Sequence, residues 1–223
     1  MTTKLEFLKT SPFFDGFTPV QLEAISHRVF EKKLARGEMA LNEGAYAVGL
    51  LFVAEGVIKL FKTSAEGKEQ ILSLMRPGES FNDVPMFDRG PSPVNAQALG
   101  VVTLYGIQRN DLDVMLKQYP ALSQNVIQVL VRRIRYLISL VEDLSFRSVV
   151  SRVAKILLEN LGDTAATGPR LTQRDMAAMA GTAREVVSRS LRYLEDEKLI
   201  EMRRHHIVIR NKKGLEQLVE PDF

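Results

Sequence analysis

From Ala121 to Leu161 the chain contains neither proline nor glycine, and this stretch limits the possible folds more than any other feature. Within it Ile127, Leu130, Ile134, Leu137, Val141 and Leu144 recur at alternating steps of three and four. That is a heptad seam of about three repeats, the pattern of a long helix that packs along another. Val126, Val129, Val131, Ile138 and Leu140 add a second apolar face. One apolar face suits packing on the helix's own domain, whereas two favour a partner as well. The spacing therefore predicts a dimerisation helix within residues 113–146, with the six seam residues at the interface. A second amphipathic helix follows, marked by Val149, Val153, Ile156, Leu157 and Leu161.

Upstream the pattern differs. Residues 5–33 read as short helical segments: Thr18 is an N-cap before Pro19 at the first helical position, and Leu22, Ile25, Val29 and Phe30 keep helical spacing. Between Leu34 and Leu112, short β-rich runs are broken by Gly37, Gly44, Gly49, Gly56, Gly67, Gly78, Gly90 and Gly100. Leu50–Val53 and Val57–Phe61 read as strands, and residues 63–68 as a hairpin turn before Gln70–Met75. Short strands with glycine turns point to a sandwich, jelly roll or barrel. The fold expected is α+β: a jelly-roll domain over 1–112, the long helix, and a helical domain over 147–223.

Charge separates these regions. The net charge of +3 over 223 residues is small, but residues 1–144 are neutral and the span Arg170–Lys213 carries 11 Lys and Arg against 6 Asp and Glu. A local basic excess is the footprint of a phosphate-binding surface. The segment after Leu171 gives that surface a form. Thr172 and Asp175 make a capping pair that opens a helix, Met176, Met179 and Ala180 line it, and Gly181 ends it. Thr182 and Glu185 read as a second capping pair, and Val187, Leu191 and Leu194 line the inner face of a second helix. Two short helices joined by a glycine turn make a helix-turn-helix.

Arg184, Glu185, Ser188 and Arg189 face outward in the first two turns of that second helix, the turns that enter the major groove in such motifs. Arginine can bond guanine O6 and N7 together, glutamate accepts from cytosine N4, and serine serves either. These four are the candidate base readers. The apolar runs Leu199–Met202 and Ile207–Arg210 flank a basic tip and read as a wing. Thr172, Gln173, Thr182, Arg203, Arg204 and Lys212 are candidates for the phosphate backbone, contacts that position without reading sequence.

With these residues in view, the chain resembles the Crp–Fnr family of bacterial transcription regulators over nearly its whole length. The resemblance rests on residues 43–46 (Glu-Gly-Ala-Tyr), 53–60 (Val-Ala-Glu-Gly-Val-Ile-Lys-Leu) and 76–81 (Arg-Pro-Gly-Glu-Ser-Phe), the long helix, and 183–189 (Ala-Arg-Glu-Val-Val-Ser-Arg). It implies a cyclic-nucleotide-binding-type β-roll, a dimer helix and a winged helix-turn-helix that acts as a homodimer on palindromic DNA in the cytoplasm, with RNA polymerase as a further partner if the protein activates. Ser190 stands where the family packs an apolar residue.

The resemblance also carries the effector question. The family's ribose-binding Gly-Glu pair falls on Asn82 and Asp83, its phosphate-binding Arg pair on Pro93 and Val94, and its adenine-binding Thr-Ser pair on Leu137 and Ile138. Proline offers neither a cation nor an amide proton to an anion, so these residues argue against cyclic AMP. The absence of cysteine excludes the iron–sulfur oxygen sensor, a thiolate metal site and a cysteine nucleophile. Haem, as in nitric-oxide-sensing relatives, stays open, with His27, His205 and His206 as the chain's histidines. Asn82, Asp83, Met86, Phe87, Leu137 and Ile138 are the candidate effector pocket. A cyclic-nucleotide module that acts on a protein partner is the rival reading, and it would need the missing phosphate-binding arginine. No catalytic triad order, paired histidine ligands or P-loop points to an enzyme, no apolar run spans a membrane, and the first residues lack the apolar core of a secretion signal.

Overall fold

A computed structural model describes residues 3–161, 171–203 and 206–219. Contacts divide it into two compact units, one built from residues up to Lys62 with Ser73–Tyr136, the other from Thr63–Leu72 with the chain from Leu137 onward.

The first unit opens with helices α1 (Lys4–Thr10) and α2 (Pro19–Ser26) around a 3-10 turn at Pro12–Phe14. Thr18 caps α2 as its sequence requires: its hydroxyl accepts from the Gln21 amide at 3.3 Å, and the Gln21 side chain accepts from the Thr18 amide at 2.8 Å. The helical spacing stops at Ser26. Val29 and Phe30 begin strand β1 (Val29–Leu34) instead, which pairs antiparallel with β8 (Val102–Gln108). The misreading has a simple cause: two apolar residues at the end of a period-3.6 pattern also suit a strand, and only the long-range partner decides.

The strands β2 (Met39–Leu41), β3 (Gly49–Glu55), β4 (Ile58–Thr63), β5 (Glu69–Met75), β6 (Ser80–Phe81) and β7 (Asn95–Ala98) complete the roll. They form two four-stranded sheets, ordered β1-β8-β3-β6 and β2-β7-β4-β5. Strand β3 is buried along nearly its whole length because Leu50–Ala54 is an unbroken apolar run and each of its two faces meets a core. Leu51 and Val53 face the core shared with Ile58, Phe81 and Leu104, while Leu50, Phe52 and Ala54 face a second core built from α1, the 3-10 turn and α2. Phe13 and Phe52 meet edge to face at 5.1 Å in that second core, a contact worth about 0.5–1.5 kcal/mol beyond its buried area. Helices α3 (Asp83–Asp88) and α4 (Arg109–Gln118) cap the roll, and α5 (Pro120–Phe146) follows. Its Leu122 and Val126 are buried in the helix-side core.

The second unit contains the end of α5 and helices α6 (Val149–Leu161), α7 (Gln173–Ala180), α8 (Arg184–Asp196) and α9 (Lys212–Val219). Strands β9 (Ile200–Arg203) and β10 (His206–Ile209) pair antiparallel, with Arg203 opposite His206. Val153, Ala154, Leu157, Val187, Leu191 and Leu194 are fully or almost fully buried between α6 and α8. Mixed helix and sheet, a β-roll, a long helix and a C-terminal helix-turn-helix match the α+β expectation.

Candidate functional site

Helix α7 starts at a reciprocal cap. Thr172 Oγ1 accepts from the Asp175 amide at 3.1 Å, and Asp175 Oδ2 accepts from the Thr172 amide at 2.9 Å. It ends at Gly181, whose φ of +64° is left-handed. The Gly181 and Thr182 amides both donate to the Ala177 carbonyl, the latter at 3.0 Å, which closes the turn. A side chain at 181 would be doubly opposed, by φ and by Leu144 Cδ2, 2.8 Å from where its Cβ would sit.

The second cap departs from the sequence reading. Ala183, not Thr182, is the N-cap of α8, and no side chain caps it. The reason is that the Thr182 amide is already committed to the preceding turn. The consequence matters for chemistry, because the Glu185 carboxylate is not consumed in a capping box. Arg184, Glu185 and Arg189 are exposed, Ser188 is half-buried, and no side chain of the four makes a hydrogen bond or ion pair with another described residue. The opposite face of α8 is held by Val187, Leu191 and Leu194. Ser190 is buried there and its hydroxyl donates to the Val186 carbonyl at 3.0 Å, which satisfies a polar group where an apolar one was expected. Arg192 shares the outward face one turn beyond Ser188 and Arg189 and is exposed. The sequence reading missed it, although its spacing of seven from Glu185 was visible.

The wing is held by its base. Glu195 Oε1 accepts from the Met202 amide at 2.7 Å, and the Leu199 carbonyl accepts from the Arg210 and Asn211 amides. Arg203 Nε donates to Glu201 Oε1 at 2.9 Å and Arg210 Nε to Glu201 Oε2 at 2.7 Å. Hydrogen bonds from Arg203 and then Arg210 hold the Glu201 carboxyl below its ordinary pKa. The basic wing is thus partly neutralised by its own carboxylate, which the sequence reading did not foresee. Thr172 and Lys212 are exposed, while Gln173 and Thr182 are half-buried. Arg204 and His205 lie outside the described residues.

On α5, Ile127, Val131, Ile134, Ile138 and Val141 are 45–64% exposed and form one apolar stripe. Leu137 and Leu144 flank it, about two-fifths exposed. Leu130 is half-buried against the helix-side core of its own unit. An exposed apolar stripe of this length is the signature of an interaction face.

The candidate effector residues divide. Met86 is in the core, Phe87 is partly exposed, and Leu137 and Ile138 lie on the open stripe of α5. Asn82, in the left-handed region at φ +69°, donates from Nδ2 to the Gly49 carbonyl at 2.8 Å. Asp83 is buried and forms an ion pair with Arg133 of α5. Ser80 Oγ donates to Asp83 Oδ1 at 3.0 Å, and Arg133 Nη2 donates to the Ser80 carbonyl at 2.5 Å. Burial pulls the Arg133 pKa down while the Glu79 charge pulls it up; a guanidinium stays charged in either case. Arg133 was missed, yet it had a signal: Leu122, Val126 and Val129 step by four and three toward it, so it is a cation on the inward face.

The carboxylate expected to meet a ribose is therefore committed internally. From Asn82 to Val94 the one cation is Arg89, exposed and 3.8 Å from Asp113. These residues do not fit the phosphate of cyclic AMP. Of the two described histidines, His27 is exposed beside Glu23 and His206 is exposed on β10. Among the described residues there is no cluster of metal-binding side chains, and no helix is long and apolar enough to cross a membrane.

Comparison with known proteins identifies the two domains and the fold. The Cyclic nucleotide-binding domain family matches residues 31–119, and the Crp-like helix-turn-helix domain family matches residues 151–218. The chain is 30% identical over 213 residues to the "Cyclic AMP receptor protein" of Thermus thermophilus, which covers 95% of this chain and 98% of that protein. It is 28% identical over 193 residues to a "CRP-like cAMP-activated global transcriptional regulator" of Mycobacterium tuberculosis, covering 83% and 86%. The crystal structure of FixK2 from Bradyrhizobium japonicum superposes with a TM-score of 0.77 at 23% identity, over 87% of this chain and 99% of that one, and so shares the fold.

Proposed function

The chain belongs to the Crp–Fnr family of transcription regulators, and from that premise we propose that it is a homodimeric, sequence-specific DNA-binding regulator whose β-roll is the sensory part. The family and fold are those of regulators rather than enzymes. The observation that carries the proposal is the state of α8: Arg184, Glu185 and Arg189 are exposed and free of described partners on a helix whose other face is fully packed. Desolvating such groups is favourable only if an outside partner supplies matching donors and acceptors, and base edges in the major groove do so. Thr172, Gln173, Thr182, Arg203, Arg204 and Lys212 then take the phosphates.

The dimer reading is supported by the α5 stripe. In the seam register, Ile127, Ile134 and Val141 occupy a positions and Leu130, Leu137 and Leu144 occupy d positions. β-branched residues at a with leucine at d favour two parallel strands. A parallel pair presents two copies of α8 with two-fold symmetry, so the target is a palindrome with half-sites about 34–36 Å apart. The working division is a sensory domain over 1–112, a dimer helix over 113–146 and a DNA-binding domain over 147–223, acting in the cytoplasm. The effector belongs to a class other than cyclic AMP, because Asp83 is engaged by Arg133 and Pro93 offers no anion contact.

Selection from a pool of random duplexes tests this. The protein should enrich a two-fold symmetric site. Recovery of a single unrepeated half-site, or of no common sequence, would overturn the proposal.

A further inference from the structure

At the C-terminal end of α5, Asp143 is a carboxylate buried among cations. Arg147 Nε, one turn on, lies 2.6 Å from Asp143 Oδ1. Lys155 of α6 pairs with Asp143 Oδ2 and also reaches Ser139 Oγ at 3.3 Å and Glu159 at 4.0 Å. The Asp143 carbonyl accepts from Arg152 Nη1 at 3.3 Å. That guanidinium donates to the Arg147 carbonyl at 2.7 Å and, through Nε, to the Ala180 carbonyl at 2.9 Å. Ala180 is the last residue of α7, next to the Gly181 turn. Arg147 in turn donates to the Val219 carbonyl at the end of α9. The Asp143 carboxylate thus joins the last turn of the seam helix to α6 through Lys155 and to α9 through Arg147, while its backbone carbonyl shares Arg152 with the end of α7.

We propose that Asp143 is a positioning residue that fixes the half-site spacing the protein accepts; this rests on the reading of the chain as a dimeric DNA-binding protein. A buried ion pair is weak evidence for stability, and its best-attested use is to fix register. Here the register is between the helix that carries the dimer seam and the helices that frame α8. Inserting one base pair between half-sites displaces one of them by about 3.4 Å and rotates it by about 35°. A stiff junction cannot follow that movement, and a loosened one can.

Asp143→Asn tests this while keeping shape and an acceptor oxygen. The cations left behind retain partners, Arg147 on Val219 and Lys155 on Ser139 and Glu159, so folding is expected to survive. Lys155→Met removes one arm only and serves as a milder second variant. Duplexes selected by the full-length wild-type protein are rebuilt with the centre shortened or lengthened by one base pair, and affinities are read by mobility shift. The wild type should lose at least about 30-fold on either change, and Asp143→Asn about fivefold or less. Lys155→Met should fall between them. A variant with lower affinity but an unchanged spacing penalty in both substitutions overturns the inference, because a purely structural role predicts that outcome. A wild type that binds one half-site as tightly as two overturns the dimer reading itself, and the inference with it.

Discussion

The two ends of this molecule use their charges in opposite ways. In the first unit, Asp83 of α3 is buried and half-buried Arg133 of α5 is spent on it, with Ser80 completing the set. In the helix-turn-helix, Arg184, Glu185 and Arg189 are exposed and free of described partners. A satisfied charge answers an internal need, and an unsatisfied surface charge is available to something outside. The contrast explains why the DNA-binding end states its partner so plainly while the roll does not. The wing lies between these cases: Arg203 and Arg210 are exposed, yet Glu201 holds both.

The largest effect is expected at the Asp83–Arg133 pair. Arg133→Ala would leave Asp83 buried and unpaired and should cost about 3–5 kcal/mol in urea unfolding, whereas Arg133→Met with Asp83→Leu should recover most of it. Equal stability of the single variant and wild type would show that the pair is not closed in solution. Leu137→Glu comes next. A carboxylate in the seam should weaken dimerisation by at least about a hundredfold, giving monomers in sedimentation at micromolar concentration. At the wing, Arg203→Ala should weaken binding to all sequences alike and reduce the slope of log K against log salt by at most about 1, less than for an unpaired cation, because Glu201 competes for it. The smallest effect concerns pH. The Glu201 carboxyl is held below its ordinary pKa, so its bridges are complete above the unfolded value and are lost as pH falls through the lower folded value. The Arg203 Nε–H resonance should therefore stay fixed from pH 7 to about 5 and shift only in stronger acid.

Much of this was legible in the residues. The long helix and the glycine-closed turn could be read because each depends on local spacing: Gly181 takes φ +64°, and Pro120 opens α5. The strand at Val29 and Phe30 could not, since a partner 78 residues away in register, Val29 with Ile107, decides it. The cap at Thr182 failed for a related reason. Its amide was claimed by Ala177, a competition that a pairwise motif does not contain. At the candidate sites, outward residues of α8 followed from helical geometry, but the Asp83–Arg133 pair joins two elements 50 residues apart. A lone cation on an inward helix face was its only local trace, and it named no partner.

The most direct test of the account is a base scan with Arg189→Ala. Each base pair of the selected duplex is changed in turn, and wild type and variant are compared by mobility shift at one salt concentration. The account predicts that the variant loses about 1–3 kcal/mol on the selected site and becomes indifferent to one base pair in each half-site, at two-fold related positions. A variant that binds as tightly as wild type, or that weakens equally on every duplex, would contradict it.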